Sequence, residues 1–297
     1  MKRYLQPETV YYTFLMLSGL FAGSIFIAPL MIDSGNGVLT GAGAVLYKIS
    51  TFFCAQVPER SFHFGTTQLP VDARMTGVFV AGFIGLLAPA LRRPKRVPWI
   101  YLIAGLLMTL PLAIDGTTQT ILVWRESNNI LRLVTGLIAG VGVMYALGAI
   151  LLDGTEMIGF RRVRSSPPVR AATAFCLVVV LIFLATGAFY GRNMITRNEA
   201  VAKAGLSSEA GKIRMVYWLP SNSGISVVFN PFAGTYNDAV LNDLLEARGL
   251  RSTLGAWIVA DVDKIPTSSR TPFLPETPGD FNYIDAITGR IILSTVQ

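Results

Sequence analysis

The sequence predicts an α-helical membrane bundle of about five transmembrane helices, joined to a small extracytoplasmic α+β domain. Three observations predict it. Of the 297 residues, 52% are hydrophobic and only 14% charged, against about 25% charged in an ordinary soluble domain. Residues 10–32, 73–91, 97–115, 131–152 and 171–191 are apolar, and each approaches the roughly 20 residues needed to cross a hydrocarbon core of about 30 Å. Beyond Arg192 the composition becomes that of a soluble chain. The expected organisation is a transmembrane domain over residues 1–192, with an outer loop at 33–72, and a soluble α+β domain over 193–297.

Charge gives the orientation. The formal net charge is +7, yet residues 1–192 hold 16 Lys/Arg against 8 Asp/Glu, while residues 193–297 hold 9 against 10. The basic excess belongs to the membrane part, so topology accounts for it and a nucleic-acid partner is not called for. Lys2 and Arg3, then Arg92, Arg93, Lys95 and Arg96, then Arg161, Arg162, Arg164 and Arg170 all fall on one side of a five-span chain. The excess of Lys and Arg in cytoplasmic loops makes that side the inside. The expected location is the cell's inner (cytoplasmic) membrane, multi-pass, with a cytoplasmic N-terminus and the C-terminal domain outside.

Taken in order, residues 10–32 form an apolar run of about 23 residues, longer than the roughly 7–15 of a signal-peptide core. No small-residue cleavage site follows, so the run reads as a retained first helix in which Gly19 and Gly23 admit a close neighbour. Residues 38–53, interrupted by Lys48 and Ser50, are too short to span and read as an interfacial or partly buried helix. The stretch 54–77 is polar and punctuated by Pro58, Gly65 and Pro70, which argues for an ordered loop. Gly82 and Gly85 in the second span, with Gly136, Gly140 and Gly148 in the fourth, permit close helix contact.

In the soluble part, residues 196–210 read as helix, and 213–219 and 225–232 as two strands joined by a turn at Ser221 to Gly224. Asn237 or Asp238 caps a second helix through Glu246. Residues 254–260 form a third strand, the proline-rich 267–279 a loop, and Tyr283 onwards a closing hairpin turning near Thr288 and Gly289.

Cys54, Gln56, Pro58, Glu59, Arg60, Ser61 and Phe62, followed by Gln68, Leu69, Pro70, Ala73, Arg74, Thr76 and Gly77, resemble the signature of an uncharacterised family of prokaryotic multi-span membrane proteins, a domain of unknown function. The likeness continues through Leu112 to Gln119 and Asn129 to Gly136 with Gly140, and covers about residues 46–152. It implies a helical membrane protein. It also implies a ligand set, because the family pattern carries Cys-His where this chain has Cys54-Ala55, and Cys-x-Arg-Cys where it has Asp72-Ala73-Arg74-Met75. Three thiolates and an imidazole suit a soft metal ion. Of that set only Cys54 remains, and Cys54, His63, Asp72 and Met75 mix a thiolate, an imidazole, a hard carboxylate and a thioether. No metal and no cofactor is therefore expected, and these four are the residues a metal would have to use.

The remaining chemistry lies at the outer ends of the spans. Charges beside a bilayer cost about 2.5–3.5 kcal/mol unless they pair or reach water. The expected polar cluster is Glu59, Arg60, Arg74, Asp115, Gln119, Asn129 and Arg132, with Asp115 meeting Arg132 or Arg74. It reads either as an internal brace or as a site for a small anion, a lipid headgroup or a quinone-like ring. Catalytic patterns are missing: His63 is the single histidine, and no Gly-x-Ser-x-Gly or His-Glu-x-x-His occurs. Cys54 and Cys176 imply no disulfide framework. The functional expectation is a non-catalytic accessory or structural subunit of a larger membrane protein complex, an energy-transducing one among the candidates, partnered by other membrane subunits and lipids. The alternative is a metal/redox or small-solute/lipid-binding membrane protein using the outer polar cluster.

Overall fold

The computed structural model describes residues 7–54, 56, 60–64, 67–91, 98–120, 127–152, 167–206, 213–220, 255–262, 280–285 and 289–294. Several expectations lie outside these residues: the strand at 225–232, the helix at 237–246, the loop at 267–279, Glu59, and the basic residues at 2–3, 92–96 and 161–164. Among the described residues, five helices are long and apolar enough to cross a membrane. They are α1 (Pro7–Ile32), α3 (Ala73–Leu91), α4 (Pro98–Thr120), α5 (Asn129–Leu151) and α6 (Pro167–Gly191). Between the first two lies α2 (Gly37–Ser50), and α7 (Arg197–Ala204) follows the last.

The helix ends are set by local chemistry. Pro7, Pro98 and Pro167 open α1, α4 and α6 at a position where a missing N–H costs nothing. Asn36 caps α2 by accepting from the amides of Val38 and Leu39, and Asn128 caps α5 by accepting from Leu131 at 2.7 Å. Thr196 and Glu199 form a capping box on α7, and Gly205, at φ +63°, ends it in the left-handed region open to glycine.

The chain divides into two compact units: Met1–Ser24 with Ala73–Ile182, and Ile25–Asp72 with Phe183–Gln297. In the first, α3 and α5 run parallel, since Gly77 faces Leu133 and Gly136 while Gly85, further along, faces Val141 and Tyr145. A Cβ at Gly85 would stand 2.6 Å from the Val141 carbonyl oxygen, and Gly136 and Gly140 lie against the backbone of Arg74 and Val78. The glycine faces expected from sequence thus form this interface, where backbones approach because no side chain intervenes. On α5, α4 packs antiparallel: Gly105 meets Gly142 and Ala146, and Gln119 meets Arg132. Gly19 of α1 abuts the Phe83 ring, whereas Gly23 has nothing within 4 Å of its Cβ position. Only Gly19 of that expected pair is therefore a contact point. The Tyr11 hydroxyl donates to the Leu86 carbonyl, closing a small core with Leu152.

In the second unit α2 is the partly buried helix expected from sequence, its Gly37 and Gly41 set against Gly187 and Gly191 of α6. Four strands, β3 (Ile213–Pro220), β4 (Gly255–Val262), β5 (Asp280–Asp285) and β6 (Ile291–Ser294), form an antiparallel sheet in that order. Tyr217 pairs with Ile258, and Ile258 with Tyr283. The described partner of β3 is thus β4. β5 and β6 pair antiparallel, as a closing hairpin requires, with Gly289 at φ +65° before β6; residues 286–288, Thr288 of the expected turn among them, lie outside the described residues. Trp257, Val259 and Ile284 pack with Ala200 and Ala204 of α7, and with Ile32, Ala44 and Tyr47. Two polar side chains lock α7 in place: Trp257 Nε1 donates to the Ile195 carbonyl at 3.1 Å, and Asn282 Nδ2 to the Ala204 carbonyl at 2.6 Å.

Candidate functional site

The polar cluster sits where α3 begins, α4 ends and α5 begins, because an up-down-up arrangement brings those three termini to one end. Arg74 is the second residue of α3 and Arg132 lies one turn into α5, so both guanidiniums arise beside helix N-termini. Asp115 and Gln119, four residues apart, share one face of α4. Asp115 is buried, with 2% exposure, and its Oδ2 lies 2.6 Å from Arg74 Nη2. Of the two partners the sequence allows, Arg74 makes this ion pair. Arg74 Nη2 also reaches Gln119 Oε1 at 3.4 Å, and Arg132 Nε reaches the same oxygen at 3.5 Å. Arg132, 7% exposed, donates from Nη1 to Asn129 Oδ1 at 2.8 Å.

Five of the seven expected cluster residues therefore converge: Arg74, Asp115, Gln119, Asn129 and Arg132. Glu59 lies outside the described residues, and Arg60 belongs to the second unit. The five form a chain of side-chain bonds across three helices, carboxylate to guanidinium to amide to guanidinium to amide. Such a chain holds three termini in register.

The residues that a metal would have to use fare differently. Cys54 is buried, and its sulphur accepts the backbone N–H groups of Gln56 at 3.3 Å and Asp72 at 3.2 Å. Burial pushes its thiol well above the ordinary range, with the Asp72 charge adding to the effect. His63 opens the short strand β1 (His63–Phe64), which pairs with β2 (Thr67–Gln68). Desolvation of part of its ring lowers its pKa, against a smaller opposing contribution from the Ser61 backbone. Met75 lies on α3 in the first unit, whereas Cys54, His63 and Asp72 lie in the second. Among the described residues no three His, Cys, Asp or Glu side chains gather.

One network in the second unit was not foreseen. Gln56, held at φ +54°, donates from Nε2 to the carbonyls of Tyr47 at 2.8 Å and Pro70 at 2.7 Å. Gln68 Nε2 donates to the Gln56 carbonyl at 2.9 Å, and the Tyr47 hydroxyl to the Gln68 carbonyl. Gln56, Gln68 and Pro70 are residues of the 54–77 signature, and here they tie the loop to α2. Asp33 adds a second tie, accepting from Thr67 Oγ1 at 2.7 Å and pairing with Arg197 Nε at 3.5 Å. Glutamines in a loop flanked by prolines were the available signal, since a buried amide needs backbone partners.

Comparison with known proteins agrees with this architecture. Residues 54–146 match the model of the predicted membrane protein family DUF2085. An uncharacterized protein of Methanocaldococcus jannaschii is 34% identical over 151 residues, covering 48% of this chain and 94% of that one. An uncharacterized protein of Methanothermobacter thermautotrophicus is 41% identical over 92 residues, covering 31% of this chain and 81% of that one. No solved structure matches. The match takes in both the Cys54 loop and the three helices that carry the polar cluster, and the chain belongs to the DUF2085 family of predicted membrane proteins.

Proposed function

We propose that this protein is a non-catalytic accessory subunit of a larger membrane protein complex, whose helical unit is braced internally and whose remaining helix faces meet lipid and neighbouring subunits. The observation that carries this reading is the use made of the chemistry-bearing side chains. Arg74, Asp115, Gln119, Asn129 and Arg132 bond to one another across three helices, and Cys54, Gln56 and Gln68 bond to backbone. Cys54, the thiol beside the Asp72 carboxylate, is pushed well above its ordinary range by burial, which disfavours the thiolate that nucleophilic chemistry needs. Leu102, Leu106 and Leu110 on α4, with Leu177, Leu181 and Leu184 on α6, are exposed within the chain and supply apolar surface along two spans. A redox or metal role would have to draw on a buried Cys54 thiol that already accepts two backbone bonds.

The test is co-purification from native membranes. A tagged copy, expressed at its natural level and extracted in mild detergent, is expected to bring down the same membrane proteins in fixed stoichiometry in two unrelated detergents. Recovery as a monodisperse monomer in both would overturn the proposal. Elemental analysis of the same preparation would reveal any bound transition metal and return weight to the metal reading.

A further inference from the structure

Independently of the accessory reading, we infer that α2 lies in the lipid leaflet beside the end of α6, with the stripe of Val38, Val45 and Ile49 set against acyl chains. The helix carries its amphipathic pattern inside out. Thr40, Gly43, Ala44, Tyr47 and Ser50 are buried, whereas Val38, Leu39 and Ile49 are exposed. Val38, Val45 and Ile49 stand at i, i+7 and i+11 and so share one face, which Leu39 flanks. Lys48, the one charged residue of α2, lies off this stripe. A helix lying against water turns its apolar side inward and its polar side out. The reverse arrangement in α2 suits a helix whose outer side meets hydrocarbon.

The hydroxyls and both ends of α2 are bonded within the protein. Thr40 donates to the Ile32 carbonyl at 3.4 Å, Ser50 to Leu46 at 2.9 Å, Thr51 to Lys48 at 2.7 Å, and Tyr47 to Gln68. At the first turn, Asn36 Oδ1 accepts from the amides of Val38 and Leu39. At the last turn, the carbonyls of Tyr47, Lys48, Ile49 and Ser50, which a helix end leaves without intrahelical partners, accept from the amides of Thr51, Phe52, Phe53 and Cys54. The Tyr47 carbonyl also takes Gln56 Nε2 at 2.8 Å. Backbone in a hydrocarbon layer has no water to turn to, so internal partners of this kind are what it requires.

The neighbouring helix says which apolar phase covers the stripe. The apolar span of α6 runs to Gly191, and α2 starts alongside its last turn: Gly37 lies against the Gly191 carbonyl, and Gly41 fits between Gly187 and Gly191. The first turn of α2 is therefore level with the end of a span. Ile27 and Leu30 at the end of α1 and Phe189 at the end of α6, all in the same compact unit, are exposed as well. At 14 residues α2 is about 21 Å long, too short to cross a core of about 30 Å. It lies at the margin of the leaflet, as interfacial helices do.

The experiment uses the full chain in a Cys176→Ser background, reconstituted into liposomes of phosphatidylcholine with phosphatidylglycerol. Val38→Cys and Ile49→Cys each carry a nitroxide, and the label's accessibility to oxygen, which concentrates in lipid, is compared with that to a water-soluble nickel chelate. Leu181→Cys, on the exposed side of α6, and Ala202→Cys, exposed on α7, give the lipid and water references. Oxygen is expected to exceed nickel at Val38 and Ile49, the order shown by Leu181→Cys and reversed at Ala202→Cys. Nickel above oxygen at either position would overturn the inference. Exclusion of both reagents would show the stripe covered by protein, another copy of this chain included, and would overturn it too, while leaving the accessory reading standing. The two positions lie at opposite ends of α2, so either decides alone should the other variant fail to reconstitute.

Discussion

Gly85→Ala is the sharpest perturbation of the helical unit, because the parallel contact of α3 with α5 sets where Arg74 and Arg132 begin. The added Cβ would lie 2.6 Å from the Val141 carbonyl oxygen and 3.1 Å from the Tyr145 amide nitrogen. Both are backbone atoms, so no side-chain rotation relieves the clash. Ordinary contact starts at 3.4 Å, so the helices must part locally by about 0.8 Å, enough to forfeit a quarter to a half of the dispersion energy between facing atoms. Overpacking of this kind costs about 1–3 kcal/mol. Alanine also favours a helix over glycine by about 1 kcal/mol, and that gain must be removed by a control. Gly23→Ala provides it, since nothing lies within 4 Å of a Cβ there. The assay is thermal unfolding of the two variants in one detergent, read by circular dichroism. Gly85→Ala is expected to unfold below Gly23→Ala by about 2–12 °C, at about 2–4 °C per kcal/mol. Equal Tm values, or a more stable Gly85→Ala, would refute the close parallel packing.

Other perturbations reach the remaining parts of the structure. A double-mutant cycle of Arg74→Gln with Asp115→Asn should show a coupling of about 1–3 kcal/mol. This is discounted from the value for a fully buried pair because the Arg74 side chain keeps 21% exposure; additive single effects would remove the brace. Cys54, buried and with its thiol pushed above the ordinary range, should resist maleimide at neutral pH until the protein is unfolded, and mass spectrometry of labelled protein reads this directly. Trp257→Phe deletes the bond to the Ile195 carbonyl and should lower stability by about 1–2 kcal/mol, measured by chemical unfolding. His63 makes stability pH-dependent. Its folded pKa lies below the ordinary 6.5, so the unfolded chain takes up the proton first, and stability is lost as pH falls from 6.5 through the folded value. His63→Gln should flatten the Tm profile over that window.

The parts legible in the sequence are those fixed by one-dimensional physics. Span length and apolarity are such quantities, and the five expected stretches correspond to the five apolar helices within a few residues at each end. Glycine spacing is another: Gly85, Gly136 and Gly140 lie where helices touch, because only small residues leave room there. Gly23 shows the limit, since the same spacing with Gly19 says nothing about which of the two meets a neighbour. The sequence narrows the partner of Asp115 to Arg74 or Arg132 and goes no further. Both arginines sit near the start of parallel helices, and the choice depends on how α4 rotates between them. The pairing of β3 with β4 joins residues about forty apart, beyond the reach of local pattern. The Gln56 network depends on a positive φ at a non-glycine residue, which no propensity announces.

The central claim, that this chain works as part of a larger assembly, is tested most directly by native mass spectrometry of gently solubilised source membranes. The chain alone weighs 32.2 kDa. The account predicts a discrete heavier species that loses this mass, together with defined partner masses, when it is dissociated in the gas phase. A single species at the mass of the lone chain, with or without bound lipid, would contradict it.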